Sequence, residues 1–349
     1  MSDTVWHKPV TIIAEAGVNH NGCVETACRM IDVAADCGAD AVKFQTFEPE
    51  RLVSRFAPKA AYQRRRTAAD ESQLQMIERL RLPAEDHRRL LAGCRRRGVA
   101  FMSSAFDLES IDLLVELGLE TFKVPSGEIT NDPYLRKIGA LGRRVILSTG
   151  MADMEEIGRA LEILTTAGTN RDDITVLQCN TGYPTPMRDV NLRAMQTIRE
   201  VFSVTVGYSD HTEGMEAAIA AVAMGATVIE KHFTLDSTMA GPDHIASAEP
   251  GQFRALVAAV RNTELAMGDG IKRPSPSERQ NRAVARKSVV AAVDIPAGSV
   301  ITPEMLAVKR PGTGVPPGDL ETLVGSRARR SIERDEVITW QAVERGVLV

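Results

Sequence analysis

From residue 9 to about residue 266 the chain alternates short β-branched runs with longer helical patterns, and it does so eight times. The runs span residues 10–14, 41–45, 100–103, 121–124, 144–148, 174–178, 204–208 and 228–232, each followed by a segment able to form a helix. Repetition of this kind builds a parallel sheet, because consecutive parallel strands need a crossover and a helix supplies it. Eight units close a (β/α)8 TIM barrel of the α/β class. An open, doubly wound sheet shares the same alternation, but no GxGxxG follows the first run and no GxxxxGK[ST] occurs anywhere, so the barrel is favoured. Gly38, Gly98 and Gly225 each stand just ahead of a predicted strand, where a left-handed helix cap belongs.

Composition narrows the partners. The 349 residues are 44% hydrophobic and 25% charged, ordinary for a globular protein with room for two cored domains. With 42 Lys and Arg against 46 Asp and Glu, the formal charge is −4, which favours neither nucleic acid nor an anionic membrane as partner. A small molecule fits better. No apolar run approaches the roughly 18 residues of a membrane helix. The N-terminal MSDTVWHKPVTII enters a strand-like run without the marks of a signal peptide, so a cytoplasmic protein is expected. Five cysteines without a CxxC pair are read as reduced thiols rather than a disulfide framework or zinc ribbon.

Three segments break the rhythm. Residues 47–84 separate the second run from the next clear helix and include a basic stretch from Arg51 to Arg66. A connection this long is a functional lid or partly helical insertion, or else a solvated basic excursion. Residues 271–286, IKRPSPSERQNRAVAR, are rich in Pro, Ser and charge and read as a linker. It would join a barrel domain at 1–270 to a small β-rich domain at 287–349. At that size the second core is marginal, so docking on the barrel or on a partner chain is expected.

In a barrel of this type chemistry gathers at the C-terminal strand ends. There the sequence places Glu15, Asn19 and His20; Lys43 and Gln45; Ser103 and Ser104; Lys123, Ser126 and Glu128; Ser148 and Thr149; Asn180, Thr181 and Tyr183; Ser209, Asp210 and His211; and Glu230, Lys231, His232 and Asp243. All are expected to face one mouth. Lys43 and Lys123, with hydroxyls from Ser104, Ser126, Ser148 and Ser209, suit a phosphate and a carboxylate, hence a small dianionic substrate. The plainer alternative pairs each lysine with Glu128 or Glu230 for stability alone. His211 and His232 fall 21 residues apart on adjacent predicted strands, where both imidazoles can meet one metal ion. Two histidines are incomplete coordination, so with carboxylate and water they suit Mn²⁺, Mg²⁺ or Co²⁺ better than a closed tetrahedral Zn²⁺ site. His7 and His87 read as surface residues, and His20 and His244 as structural or supporting ones.

The motifs IIAEAGVNHNG, AVKFQTF, FKVPSGEITNDP, VILSTGM, QCNTGYPTP, VGYSDHTEG, VIEKHFTLD and GPDHIAS occur in this order, followed by KRPGTGVPP. Together they closely resemble the sialic acid synthase family over nearly the whole chain. The resemblance implies condensation of phosphoenolpyruvate with an N-acetylated hexosamine-type aldehyde to give a nine-carbon sugar acid, with a divalent metal, Mn²⁺ first. It identifies the terminal module as a SAF domain, similar to type III antifreeze protein. Carried over by position, it implies that Lys43, Ser104, Lys123, Ser126, Ser148, Thr181 and Ser209 hold phosphoenolpyruvate and that His211 and His232 hold the metal. Glu15, Gln45, Tyr183 and Asp243 match residues around the acceptor, and Glu128 matches an acidic residue near the reacting carbons. Arg310, in KRPG, matches a residue that the terminal module inserts into the other subunit's barrel, which implies a domain-swapped homodimer.

The wording around the sixth strand bears on the acceptor. N,N′-diacetyllegionaminate synthases commonly read CNTEYPTP followed by DVNLRAM; this chain has DVNLRAM at 189–195 but Gly182 in place of the Glu. The reading therefore leans to the legionaminate branch, with N-acetylmannosamine and 2,4-diacetamido-2,4,6-trideoxymannose both open as acceptors and pseudaminate synthases less similar. Two other classes stand beside it: a metal-dependent pyruvate aldolase, separated by phosphate release, and a non-catalytic carbohydrate- or ice-binding protein, which would need neither the lysines nor the paired histidines.

Overall fold

The computed structural model describes residues 9–59 and 71–344. β1 (Thr11–Gly17), β2 (Ala41–Thr46), β3 (Ala100–Ala105), β4 (Thr121–Val124), β5 (Arg144–Ser148), β6 (Ile174–Cys179), β7 (Thr205–Asp210) and β8 (Val228–His232) form a closed parallel barrel in sequence order, with β8 paired back onto β1. The expected (β/α)8 architecture is present. β1, β3 and β7 run two or three residues past the apolar stretches that announced them. Those added residues include Glu15, Ser104 and Ser209: hydrophobicity stops at the first polar side chain, whereas main-chain pairing continues through Cys179↔Ser209 and Ser209↔Glu230.

Helices start and stop on local signals. Helix Met154–Ala167 opens on a capping box in which Asp153 accepts the Glu156 N–H at 2.9 Å and Glu156 accepts the Asp153 N–H at 3.0 Å. Gly38, Gly98 and Gly225 have φ of +90°, +69° and +96°, which side-chain-bearing residues rarely adopt.

Strand alternation divides the barrel domain into two apolar layers. Outward residues such as Ile12, Phe44, Phe122, Tyr208 and Ile229 pack against the helices. Inward residues Ile13, Ala41, Met102, Ile146, Leu177 and Val228 fill the barrel toward its N-terminal end. This floor is full: a Cβ on Gly207 would lie 2.5 Å from the Val228 carbonyl oxygen and 2.6 Å from Leu177 Cδ2. Two residues further along each strand the inward side chains turn polar, and the site begins.

The connection after β2 is partly helical, with helices Pro49–Leu52 and Gln73–Leu80. Met76, Ile77 and Leu80 pack with Phe47 and with Val18 of the β1 loop in a small core of their own at the C-terminal mouth. The end of the basic stretch, from residue 60 to Arg66, lies outside the described residues, as does His7. His87, expected on the surface, is instead fully buried on helix Ala84–Arg97, where its Nε2 lies 2.8 Å from Thr46 Oγ1 and Thr46 in turn 2.7 Å from Ser103 Oγ. It shares a helix face with Leu90 and Cys94, and that spacing decides its place over its charged neighbours. All five cysteines are free.

The chain divides into units Met1–Gly268 and Asp269–Val349. The second carries two antiparallel pairs, β9 (Ser288–Ala291) with β10 (Leu306–Lys309) and β11 (Arg327–Ala328) with β12 (Val343–Glu344), around a core that includes Val289, Ile301, Val315, Leu323 and Ile338. The stretch read as a linker holds a helix, Pro276–Ala285, none of whose residues is buried. Its Ser-Pro-x-Glu composition, suited to a linker, equally makes a helix start: Ser275 caps, Pro276 takes the first turn and Glu278 closes the capping box. No helix among the described residues is long and apolar enough to cross a membrane.

Candidate active site

Above the apolar floor, period-two alternation aims Glu15, Lys43, Ser104, Lys123, Ser148, Cys179, Ser209 and Glu230 into the barrel as one polar layer. Six of these eight were expected there as binding residues. Each ammonium is bonded to a hydroxyl: Lys43 Nζ donates to Ser104 Oγ at 3.1 Å and Lys123 Nζ to Ser148 Oγ at 2.6 Å. Lys43 also lies 2.5 Å from Glu15 Oε2 and 3.8 Å from Glu230 Oε2, and Lys123 lies 3.6 Å from Glu230 Oε1. Ser209 Oγ donates to Glu230 Oε1 at 3.2 Å. The ion pairing with Glu230 that was weighed as a purely stabilising role is therefore real, but it is shared between two lysines.

Sharing has an electrostatic result. Burial pushes Glu15 upward against the pull of Lys43, whereas Glu230, equally buried, is drawn below the usual carboxylate range by Lys123 and Lys43. Burial opposes the charge on Lys43, but Glu15 and Glu230 outweigh it and hold the group high; Lys123 is pulled down by burial, which Glu230 only partly offsets. The two lysines therefore share Glu230, whose ionisation they favour, and Glu15, whose ionisation burial resists, and an anion placed beside them would meet both buried amines.

The next layer carries the histidines. Their ring centroids are 5.2 Å apart, and Tyr183 packs over His211 at 4.3 Å and edge-on to His232 at 5.7 Å. His211 Nδ1 donates to the Asn180 carbonyl at 2.6 Å, which leaves its Nε2 lone pair free. Burial lowers His211, but the Cys179 thiol and that carbonyl outweigh it. His232 is held neutral by burial and by the nearby cations, and its Nδ1 is buried without a hydrogen-bond partner. No group of three or more His, Cys, Asp or Glu able to hold a metal occurs among the described residues. Two imidazoles with unused nitrogens, His211 Nε2 and His232 Nδ1, still fit a divalent ion whose other positions are taken by water or substrate oxygen.

Around these layers lies a cavity of about 350 Å³ that reaches both lysines and both histidines, within the roughly 300–1,000 Å³ usual for small-molecule sites. Ser126, Thr181 and Asp243 also line it. Ser126 Oγ accepts the Gly150 N–H at 2.9 Å, and a Cβ on Gly150 would collide with Ser126 and Thr181, so a bare backbone lets these loops meet. Gln45 Nε2 donates to Glu15 Oε1 at 3.3 Å. Burial pushes Asp243 up to about 6. Glu128 ends the short 3-10 turn Ser126–Glu128; it accepts from Asn131 Nδ2 at 2.6 Å, is pushed up by burial, and is not among the described residues lining the cavity. Arg310 belongs to the second unit, where it is exposed and its Nε donates to the Ala285 carbonyl at 3.1 Å.

Sequence reasoning missed two things here. Cys179 was read only as a thiol, yet it follows the inward Leu177 by two residues and joins the polar layer. Ser103, Asp210 and Lys231, expected at the mouth, occupy the alternate positions and point to the helix side of the sheet. The period of two was the available signal in each case.

Comparison with known proteins places the chain in a family. Residues 30–272 match the NeuB family and residues 286–344 match the SAF domain. The chain is 50% identical over 331 residues to the N,N′-diacetyllegionaminic acid synthase of Campylobacter jejuni, covering 95% of this chain and 99% of that one. It is 42% identical over 335 residues to the N,N′-diacetyllegionaminic acid synthase of Legionella pneumophila, covering 95% and 94%. Among solved structures, the N-acetylneuraminic acid synthetase of Leptospira borgpetersenii in complex with citrate superposes with a TM-score of 0.69 at 33% identity, over 78% of this chain and 90% of that one. A matched family spanning most of the chain, long relatives well above 30% identity and an eight-stranded barrel place the protein in the NeuB, or sialic acid synthase, family, with a SAF domain at its C-terminal end.

Proposed function

We propose that the protein is a nonulosonic acid synthase that joins C3 of phosphoenolpyruvate to the aldehyde carbon of an N-acetylated amino-hexose, adds water and releases phosphate. The observation that supports this reading is the stacking, in one cavity, of a buried lysine–serine layer beneath a pair of facing imidazoles. Lys43 and Lys123 neutralise the phosphate and carboxylate, while Ser104, Ser126, Ser148, Thr181 and Ser209 supply short hydrogen bonds that fix the enolpyruvyl group. Gln45, Tyr183 and Asp243 wall the acceptor, with Glu15 beneath it. His211 and His232 would hold the divalent cation, Mn²⁺ first and Mg²⁺ or Co²⁺ as alternatives, which when bound supplies Lewis-acid polarisation of the acceptor carbonyl.

Attack by C3 forms the new C–C bond and leaves positive charge at C2. Water adds at C2, and the C2–O bond to phosphate then breaks. Glu128 keeps the role that the family resemblance implies, stabilising that charge or taking the proton of the incoming water, worth roughly 10²- to 10⁴-fold in rate, although its carboxylate accepts from Asn131 and does not line the cavity. Holding both substrates in one cavity removes much of the entropic barrier of a bimolecular step.

The legionaminate branch is favoured, with 2,4-diacetamido-2,4,6-trideoxymannose as acceptor: relatives named for that product share 50% and 42% identity, and the DVNLRAM segment is present. N-acetylmannosamine, giving N-acetylneuraminate, and the pseudaminate acceptor are the alternatives. Arg310 is assigned to the acetamido group in the barrel of a second copy, within a domain-swapped cytoplasmic homodimer. Incubation with phosphoenolpyruvate, Mn²⁺ and a panel of 2-acetamido and 2,4-diacetamido hexoses tests the reading, with product mass and released phosphate as readouts. Absence of phosphate release with every sugar would overturn it.

A further inference from the structure

Two buried charges of the barrel, Asp210 and Lys231, are not among the residues that line the cavity. Lys231 Nζ lies 2.7 Å from Asp210 Oδ2, with the two side chains 5% and 0% exposed. Their strand neighbours define the side of the sheet they occupy: Tyr208 and Ile229 belong to the outer core, Ser209 and Glu230 to the inner polar layer. The pair is therefore buried behind the site, between sheet and helices.

Its hydrogen bonds converge on one turn. Lys231 Nζ donates to the Thr212 carbonyl at 2.8 Å, and Asp210 Oδ1 accepts the Thr212 N–H at 2.9 Å and the Thr212 hydroxyl at 2.8 Å. Asp210 and Lys231 are also the last register partners of β7 and β8. His211 lies between Asp210 and Thr212, and His232 directly follows Lys231. Two of these bonds fix the Thr212 backbone directly after His211, the ion pair ties the residues directly before the two histidines, and Asp210 also interacts with the Tyr208 hydroxyl behind the sheet. Stability alone explains this poorly, because a buried ion pair pays heavy desolvation and an apolar replacement is often as stable.

We propose that Asp210 and Lys231 are positioning residues: their ion pair locks the turn carrying His211 to the strand end carrying His232 and sets the separation at which the two imidazoles meet a cation. The inference rests on the reading of His211 and His232 as a cation site. Neither residue touches substrate or metal; both act through the backbone of their neighbours, as supporting partners of metal ligands do.

The test is calorimetric titration of the metal-stripped full-length protein with Mn²⁺, alongside phosphoenolpyruvate titration and thermal unfolding. Removing one partner strands a buried charge, so the informative variant is the double change Asp210→Asn with Lys231→Met, which discharges both. It is expected to unfold within a few degrees of the wild type and to bind phosphoenolpyruvate unchanged, but to bind Mn²⁺ about 10- to 100-fold more weakly. If the double variant does not fold, Asp210→Glu, which keeps the charges and lengthens one arm, is read the same way. A folded variant with Mn²⁺ affinity within twofold of wild type, while His211→Ala loses binding, overturns the positioning role and leaves the cation site standing. Wild-type protein that takes up no Mn²⁺, or His211→Ala that binds it as tightly as wild type, overturns the cation site and this inference with it.

Discussion

Lys43 Nζ stands 2.5 Å from Glu15 Oε2 in the barrel interior, and both side chains are almost wholly removed from solvent. Lys43 is also the point at which Glu15 and Glu230 are jointly balanced. Replacing it by methionine leaves an incoming dianion to face those carboxylates with only Lys123 in support. For Lys43→Met we predict a rise in the phosphoenolpyruvate KM on the order of 10²-fold, the usual scale for removing one partner of a buried charge contact. Steady-state kinetics at saturating acceptor check this, and an unchanged KM would remove Lys43 from the cradle.

His211→Ala and His232→Ala should each abolish turnover and stoichiometric Mn²⁺ uptake while leaving phosphoenolpyruvate binding within a few-fold of wild type. The two rings share a layer above the lysines without bonding to them, which is why the effects separate. Turnover like that of wild type in either variant would end the assignment.

Acid should act on the fold through His20. Its Nδ1 accepts the Gly22 N–H at 3.0 Å, so the native ring is neutral, and burial, reinforced by His87, pulls its pKa down to about 4. In the unfolded chain the same ring titrates near 6.5. Below that pH the unfolded state takes up a proton that the native ring refuses until about pH 4. The stability contributed by this group is therefore complete above pH 6.5 and drains as the pH falls through the window, by about 3 kcal/mol at pH 4. In urea titrations from pH 7 to pH 4 the wild-type midpoint should fall more steeply than that of His20→Gln; parallel slopes would mean that His20 does not contribute.

Arg310→Ala is predicted mainly to raise the acceptor KM, with phosphoenolpyruvate KM and thermal stability little changed, because an exposed side chain whose bond among the described residues is to the Ala285 carbonyl contributes little to its own unit. Sedimentation velocity should show a dimer for wild type and variant alike. An unchanged acceptor KM would argue against the swapped arrangement.

Much of this architecture was legible because one physical signal repeats. Alternation of apolar runs with helical segments marked all eight strands, and polar residues at their ends marked the mouth. What stayed hidden was which polar residues turn inward. Asp210 and Ser209 are neighbours of similar polarity, yet one faces helices and the other the cavity; only the register of β7 against β8 separates them. His87 was misjudged because the charges around it outweighed its spacing from Leu90 and Cys94. The helix Pro276–Ala285 escaped because capping residues and linker residues are drawn from the same few types. The helices Pro49–Leu52 and Gln73–Leu80 sit in a connection whose sequence carries no clear period, so only its length announced structure there.

The packed floor formed by Ile13, Met102, Ile146, Leu177 and Val228 closes one end of the barrel, and among the described residues the cavity is reached from the other. A group seated against Lys43 and Lys123 lies deeper than the histidines, and on the proposed reading it would lie beneath a sugar held beside them. On the proposed reaction such a dead-end shaft would impose a sequence: the smaller, deeper substrate would enter before the sugar, and both the sugar acid and the phosphate would leave by the way their precursors came in.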